Sequence, residues 1–342
     1  MDYYLLGEEL ESRGYCLDSL EGDVSGGLNF WGNRKRNKEK LFIKAFDGME
    51  DENAAERYFR ELDVYKRLFN SEDRGDEFIF SGPKGGEDEG RFARPYRSFR
   101  VDNLAWVLVS KFYEGDTLAE RIWGYGGIGN LDTKVNDMLS ILHAFRRLHS
   151  SGIAYIDVKP ENFIVNAAGT EGMFSGIRAV DFDYCRYAGE PVGETIFVTQ
   201  GYISKDFRPE HGIRRYDAAF DISSLGFLFL DMMHGFDPLM HERVGFMVGE
   251  REVTTAMSVS DAEARRRFPY ICRGRSCVAD DGREARLLDE WFENFRDAVP
   301  GRHEQEKAER VQRTVKRMLE GDRGRRYSQV DDVIGELAPL VA

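Results

Sequence analysis

The sequence predicts an α+β fold, with a strand-rich first part around one main helix and a larger, mostly helical remainder. Three observations carry this. Lys40-Leu-Phe-Ile-Lys-Ala-Phe46 sets β-branched and aromatic residues at period two between charged and glycine-containing turns, as a strand does. Across 53–69, Tyr58, Leu62, Tyr65 and Phe69 fall at i, i+4, i+7 and i+11 and draw one apolar stripe on a helix. Ile222 to Met233 is apolar nearly all round, which suits a helix buried on every side. The chain has 342 residues, 42% of them hydrophobic and 32% charged. That length suits a bilobal chain of two parts at roughly 150 residues each, with boundaries expected at 1–110 and 111–342.

Taken in order, the cluster Arg34, Lys35, Arg36, Lys38 and Lys40 reads as a solvated turn between strands. Asn53 is the expected N-cap of the 53–69 helix, with Glu56 completing a capping box. Residues 70–91 are turn-rich and acidic and are expected to be loops around a short strand, Glu77–Phe80. Trp106–Val109 is a further strand, and a connector follows near 110–115. Met138, Ile141, Leu142, Phe145 and Leu148 mark the next helix, and 287–299 and 306–320 look amphipathic.

The formal net charge of −13 argues against a general grip on nucleic acid or an anionic membrane. Four scattered cysteines (Cys16, Cys185, Cys272, Cys277) make no disulfide framework and no C-x-x-C pair, so free thiols are expected. The N-terminus lacks the basic and apolar regions of a signal peptide, and Leu225–Met233 is far too short to span a bilayer. These features lead to the expectation of a soluble, cytoplasmic protein.

The chemistry concentrates in Tyr155-Ile-Asp-Val-Lys-Pro-Glu-Asn162. A carboxylate (Asp157), an ammonium (Lys159) and an amide (Asn162) share one short polar segment between apolar flanks. A base for a hydroxyl, a cation for phosphate and a metal ligand are what phosphoryl transfer needs. Nineteen positions after Asn162, within Ala179-Val-Asp-Phe-Asp183, a strand-like run ends at Asp181, a carboxylate suited to a hard cation. Lys44 lies on the 40–46 strand, and the 53–69 helix carries two glutamates, Glu56 and Glu61.

These motifs, in this order, closely resemble the eukaryotic-type serine/threonine protein kinases. The resemblance spans roughly residues 15–335 and implies the bilobal α+β fold of that family. It implies Asp157 as base, Lys159 at the γ-phosphate, and Asn162 and Asp181 as ligands of Mg²⁺ or Mn²⁺. Lys44, paired with Glu61 or with its rival Glu56, would hold the α- and β-phosphates of ATP, Gly26 and Gly27 would cover them, and Lys111 and Tyr113 would line the connector side of the nucleotide. A protein hydroxyl is the implied acceptor. Arg208-Pro-Glu210 resembles the end of the activation segment, with Arg326 as the partner of Glu210, and Asp221 resembles the aspartate that braces the catalytic loop.

The chain departs from the pattern at several points. Asp183 replaces a glycine, Phe42 stands where alanine usually faces the adenine, and Gly22, Gly26 and Gly27 do not form G-x-G-x-x-G. Ile156 replaces the arginine that commonly receives an activation-loop phosphate. Phosphorylation of Thr195, Thr199 or Tyr202 is therefore not expected to be the usual on-switch. Two readings compete with the main one: a small-molecule phosphotransferase of the aminoglycoside or choline type, which Asp183 favours, and a catalytically weak pseudokinase scaffold, which Phe42 and the poor glycine loop favour.

Overall fold

A computed structural model describes residues 3–24, 27–47, 52–84, 90–101, 104–124, 131–165, 176–192, 195–199, 202, 215–234, 243–247 and 301–341. The chain divides into two units, Met1–Glu114 with Arg178–Cys185, and Gly115–Ile177 with Arg186–Ala342.

The first unit is built on a seven-stranded antiparallel sheet. Its elements run α1 (Tyr3–Ser12), β1 (Tyr15–Val24), β2 (Gly27–Arg34), β3 (Lys40–Asp47), α2 (Glu52–Leu68), β4 (Phe69–Asp73), β5 (Glu77–Pro83), β6 (Pro95–Val101) and β7 (Ala105–Lys111). The spatial order is β1-β2-β3-β7-β6-β5-β4. Period-two alternation gives the central strands two buried faces. Leu41, Ile43, Ala45, Val107 and Val109 pack on one side with Leu6 and Leu10 of α1. On the other side α2 lies against the sheet, with Tyr58 over Phe46 and Trp106.

Two expectations fail here, and one element went unpredicted. The helix α2 starts at Glu52, so Asn53 sits inside its first turn instead of capping it. Residues 69–73 form the edge strand β4, not a loop. All but one of its residues are exposed, so no alternation marks it; backbone pairing with β5 and the bond from Asn70 Nδ2 to Gly82 O hold it. A second helix, α1, precedes the sheet. Among its described side chains only Leu6 and Leu10 are buried, a two-residue signature too short to read as a stripe.

The second unit is mainly helical. In order it holds β8 (Asp116–Thr117), α3 (Leu118–Gly124), α4 (Leu131–Ser150), β9 (Ile153–Ala154), β10 (Phe163–Val165), β11 (Ile177–Ala179, which runs on into the first unit), β12 (Arg186–Tyr187), α5 (Ala218–His234), α6 (Arg302–Met318) and α7 (Val330–Leu337). The helix α5 is buried along nearly its whole length, as its apolarity nearly all round predicts. Lys134 at the start of α4 donates to Met233 O (2.6 Å), and burial pushes its ammonium down to about 8. The expected helix at 287–299 and the Arg208-Pro-Glu210 motif lie outside the described residues.

At Gly226 the helix α5 closes on the end of α6. A Cβ there would lie 2.9 Å from Leu319 Cδ2 and 3.1 Å from Met318 Cβ. Gly226→Ala is therefore expected to cost about 1–3 kcal/mol through overpacking, read as a lower urea midpoint at unchanged slope; an unshifted midpoint means the helices separate freely.

Candidate active site

Two sets of predicted residues are each brought together by their own unit. In the first, β3 and α2 place Lys44 and Glu61 side by side, with Nζ 2.9 Å from Glu61 Oε2. The rival Glu56 instead pairs with Arg60 at the surface. Residues 178–185 return to this unit: Ala179 exchanges backbone bonds with Arg91 and Ala93, and the Phe182 ring packs on Tyr65 and Phe92. That anchoring delivers Asp181 to Lys44 Nζ at 2.7 Å and Asp183 to it at 3.2 Å. Asp183 is fully buried and also accepts from Arg57 Nε (2.9 Å) and from Arg57 Nη2.

Three carboxylates (Glu61, Asp181, Asp183) thus face two cations, Lys44 and Arg57. Burial alone would push the Lys44 ammonium down, but Asp181, Asp183 and Glu61 together raise it well above the usual lysine range. The surplus negative charge appears on the acids. Burial, with Asp181 and Asp183 nearby, pushes Glu61 up to about 7 despite Lys44. Asp183 is raised by burial and by Asp181, against the pull of Lys44 and Arg57. A cluster with this sign favours a further cation, and the Asp181 side chain, 23% exposed, is the open member of it.

In the second unit, a turn joins β9 to β10. Ile156 adopts φ +72°, a costly value for a β-branched residue, and the bond from Asp157 N to Tyr155 O (3.0 Å) closes the turn around it. The buried carboxylate of Asp221, at the start of α5, holds it in place. Its Oδ2 accepts from Tyr155 N (2.8 Å), and its Oδ1 from Ile156 N (2.9 Å). His149 Nε2 lies 2.8 Å from the same Oδ2. Beyond the turn, Lys159 Nζ donates to Asp157 Oδ2 (2.8 Å), and Asn162 Nδ2 donates to the Asp157 carbonyl (3.0 Å). With its amide nitrogen engaged, Asn162 has its carbonyl oxygen as the end suited to a hard cation.

The remaining candidates are placed less tellingly. Gly27 belongs to β2, paired with Val24 and Phe46, while Gly26 lies outside the described residues. Lys111 ends β7 and is exposed. The Tyr113 hydroxyl accepts from Arg94 N (3.3 Å), under the Arg178 guanidinium. Phe42 is half-buried opposite Ser110, whose hydroxyl donates to Phe42 O (3.4 Å). Tyr202 is buried and donates to Asp231, whose carboxyl burial raises well above its ordinary value. Sequence reasoning missed Arg57, His149 and Asp231. Arg57 could have been found, since it stands one helical turn before Glu61.

No helix among the described residues is long and apolar enough to cross a membrane. Calcium-dependent protein kinase 12 of Oryza sativa subsp. japonica is 27% identical to this chain over 156 residues, 43% of the chain and 26% of that relative. Human ribosomal protein S6 kinase alpha-2 is 32% identical over 133 residues, 38% and 17% respectively. Rabbit (Oryctolagus cuniculus) MAP kinase-activated protein kinase 2 is 25% identical over 150 residues, 43% and 39%. The chain thus spans well under two thirds of each relative's length. The family model described as protein kinase domain matches residues 94–335, a range that takes in Asp157, Lys159, Asn162, Asp181 and Asp221. Lys44 and Glu61 precede that match, yet the fold sets them against Asp181. A sheet-rich first unit, a helical second one and a match over most of its length make this chain a member of the protein kinase domain family.

Proposed function

We infer that the chain transfers the γ-phosphoryl group of ATP to a serine or threonine hydroxyl of a protein. The observation that carries this reading is Lys44, a buried ammonium shared by Glu61 at 2.9 Å and Asp181 at 2.7 Å. Such a cation is oriented by one carboxylate and can exchange the other for phosphate oxygens. Asp157 is the group that accepts the acceptor hydroxyl's proton, or fixes that hydroxyl's direction. Its neighbour Lys159 is the cation that meets charge at the γ-phosphate, and lysine at this place resembles the serine/threonine pattern. Tying the Asp157 carbonyl to Asn162 and bracing the preceding amides on Asp221 limits how far the carboxylate can drift.

Asp181 offers a carboxylate and Asn162 an amide oxygen, each a donor type that suits Mg²⁺ or Mn²⁺. When bound, the ion neutralises charge on the phosphates. On the nucleotide side, Phe42 shares a strand face with Lys44 and would press on the base, with the small Ser110 beside it. One observation favours a second reading: Asp183, a feature shared with small-molecule phosphotransferases, is firmly embedded beside Lys44.

The test is incubation of the purified protein with γ-labelled ATP and Mg²⁺, with Asp181→Ala alongside. Label on the chain or on a generic serine/threonine acceptor, absent from the variant, supports the proposal. Label passing only to a small alcohol shifts the assignment to the second reading. ATP bound without any transfer makes the chain a scaffold.

A further inference from the structure

We propose that Arg57 and Asp183 form an internal latch that holds α2 in place and so keeps Glu61 paired with Lys44. The proposal deepens the reading above, because Lys44 and Glu61 are the nucleotide-side pair of that reading. A fully buried aspartate is costly unless it is paired. Asp183 meets that cost through Arg57, whose Nε and Nη2 both reach its Oδ2, with Lys44 Nζ at 3.2 Å on the same oxygen. Among the described residues its Oδ1 accepts nothing, so the interaction with α2 is concentrated at one atom. The guanidinium also lies 5.0 Å from the Tyr184 ring, a second hold on the same helix by the next residue along.

Arg57 and Glu61 are four apart and stand on one face of α2. The helix is therefore fastened by a buried ionic rung, Glu61 to Lys44 on β3, and a partly buried one, Arg57 to Asp183 in the segment after Asp181. Lys44 touches both Glu61 and Asp183, so the rungs are joined. Rotation of α2 away from the sheet must break both together and strand at least one buried charge. The fastening is made from side chains already in the chain and needs no added phosphate. That agrees with isoleucine at 156, where no guanidinium is present to receive one, and with the buried hydroxyl of Tyr202. Arg57 and Asp183 are accordingly positioning residues, acting through Lys44 and Glu61.

The experiment compares amide hydrogen exchange of α2 and β7 in the intact chain without nucleotide, for the wild type, Arg57→Leu and Arg57→Leu/Asp183→Gly. Arg57→Leu should speed exchange in 53–65 at least about tenfold, a coupling of the size such pairs show, while β7 stays protected. The double variant, freed of the stranded carboxylate, should recover most of the lost protection. Arg67→Leu, which removes an exposed pair with Asp63 at the far end of α2, should change neither element. Unchanged α2 exchange in Arg57→Leu overturns the latch. So does equal acceleration in β7, which marks general destabilisation, and so does a double variant as fast as the single. If Arg57→Leu does not fold, Asp183→Gly alone decides: a loosened α2 supports the latch and an unchanged one removes it. Because no nucleotide is present, failure of the latch is distinguishable from failure of the phosphotransfer assignment.

Discussion

Asp157→Asn is expected to lower phosphoryl transfer by about 10²–10⁴-fold, the range for loss of a positioned general base. Nucleotide affinity should stay within about threefold of the wild type, since the proposed role of Asp157 assigns the lost contact to the reacting hydroxyl and not to ground-state binding of ATP. The amide keeps the shape of the carboxylate and can still accept from Lys159, so local packing changes little. What goes is the basicity at Oδ2 and the charge that opposes Lys159. Single-turnover transfer from γ-labelled ATP, alongside a nucleotide titration, separates the two quantities. Wild-type turnover from the variant would remove Asp157 from the chemistry. Loss of ATP binding with preserved folding would instead make it part of the nucleotide site.

Asp221→Ala should unfold the chain more readily by about 3–5 kcal/mol, the usual consequence of breaking a buried charge network. Two buried amides, Tyr155 N and Ile156 N, lose their acceptor, and His149 loses its carboxylate. Those amides flank the residue at φ +72°, so the turn that aims Asp157 loses the restraint that keeps it strained. Asp221→Asn retains one carbonyl oxygen and should cost about half as much. Urea unfolding followed by tryptophan fluorescence measures both variants. A loss below about 1 kcal/mol for the alanine variant would show that water or a neighbouring group replaces the carboxylate.

Much of this was legible in the sequence because the motifs are local. Asp157, Lys159 and Asn162 fall within six residues, and one polar turn must bring them together whatever surrounds it. Lys44 and α2 were legible through strong period-two and 3.6-residue patterns on partly buried elements. Glu61 was the preferred partner of Lys44 on sequence alone, with Glu56 as rival, and the fold sets Glu61 against Lys44 and Glu56 against Arg60. What stayed hidden depends on partners far apart in the chain. Arg57 meets Asp183 across 126 positions, and His149 meets Asp221 across 72. The edge strand β4 gave no signal because an exposed strand needs only its backbone, and backbone pairing leaves no mark on residue type. Asp183 read as a lost glycine, when its burial among cations makes it a gained anchor.

The pairing of positions 57 and 183 also constrains how this family branch could have arisen. An arginine alone at 57 would be tolerated, since its long stem lets the charged head turn out to water. An aspartate alone at 183 would not, because nothing else among the described residues but Lys44 reaches it. The order of substitution in descent should therefore run arginine first, and lineages that keep the acid should rarely shed its basic counterpart.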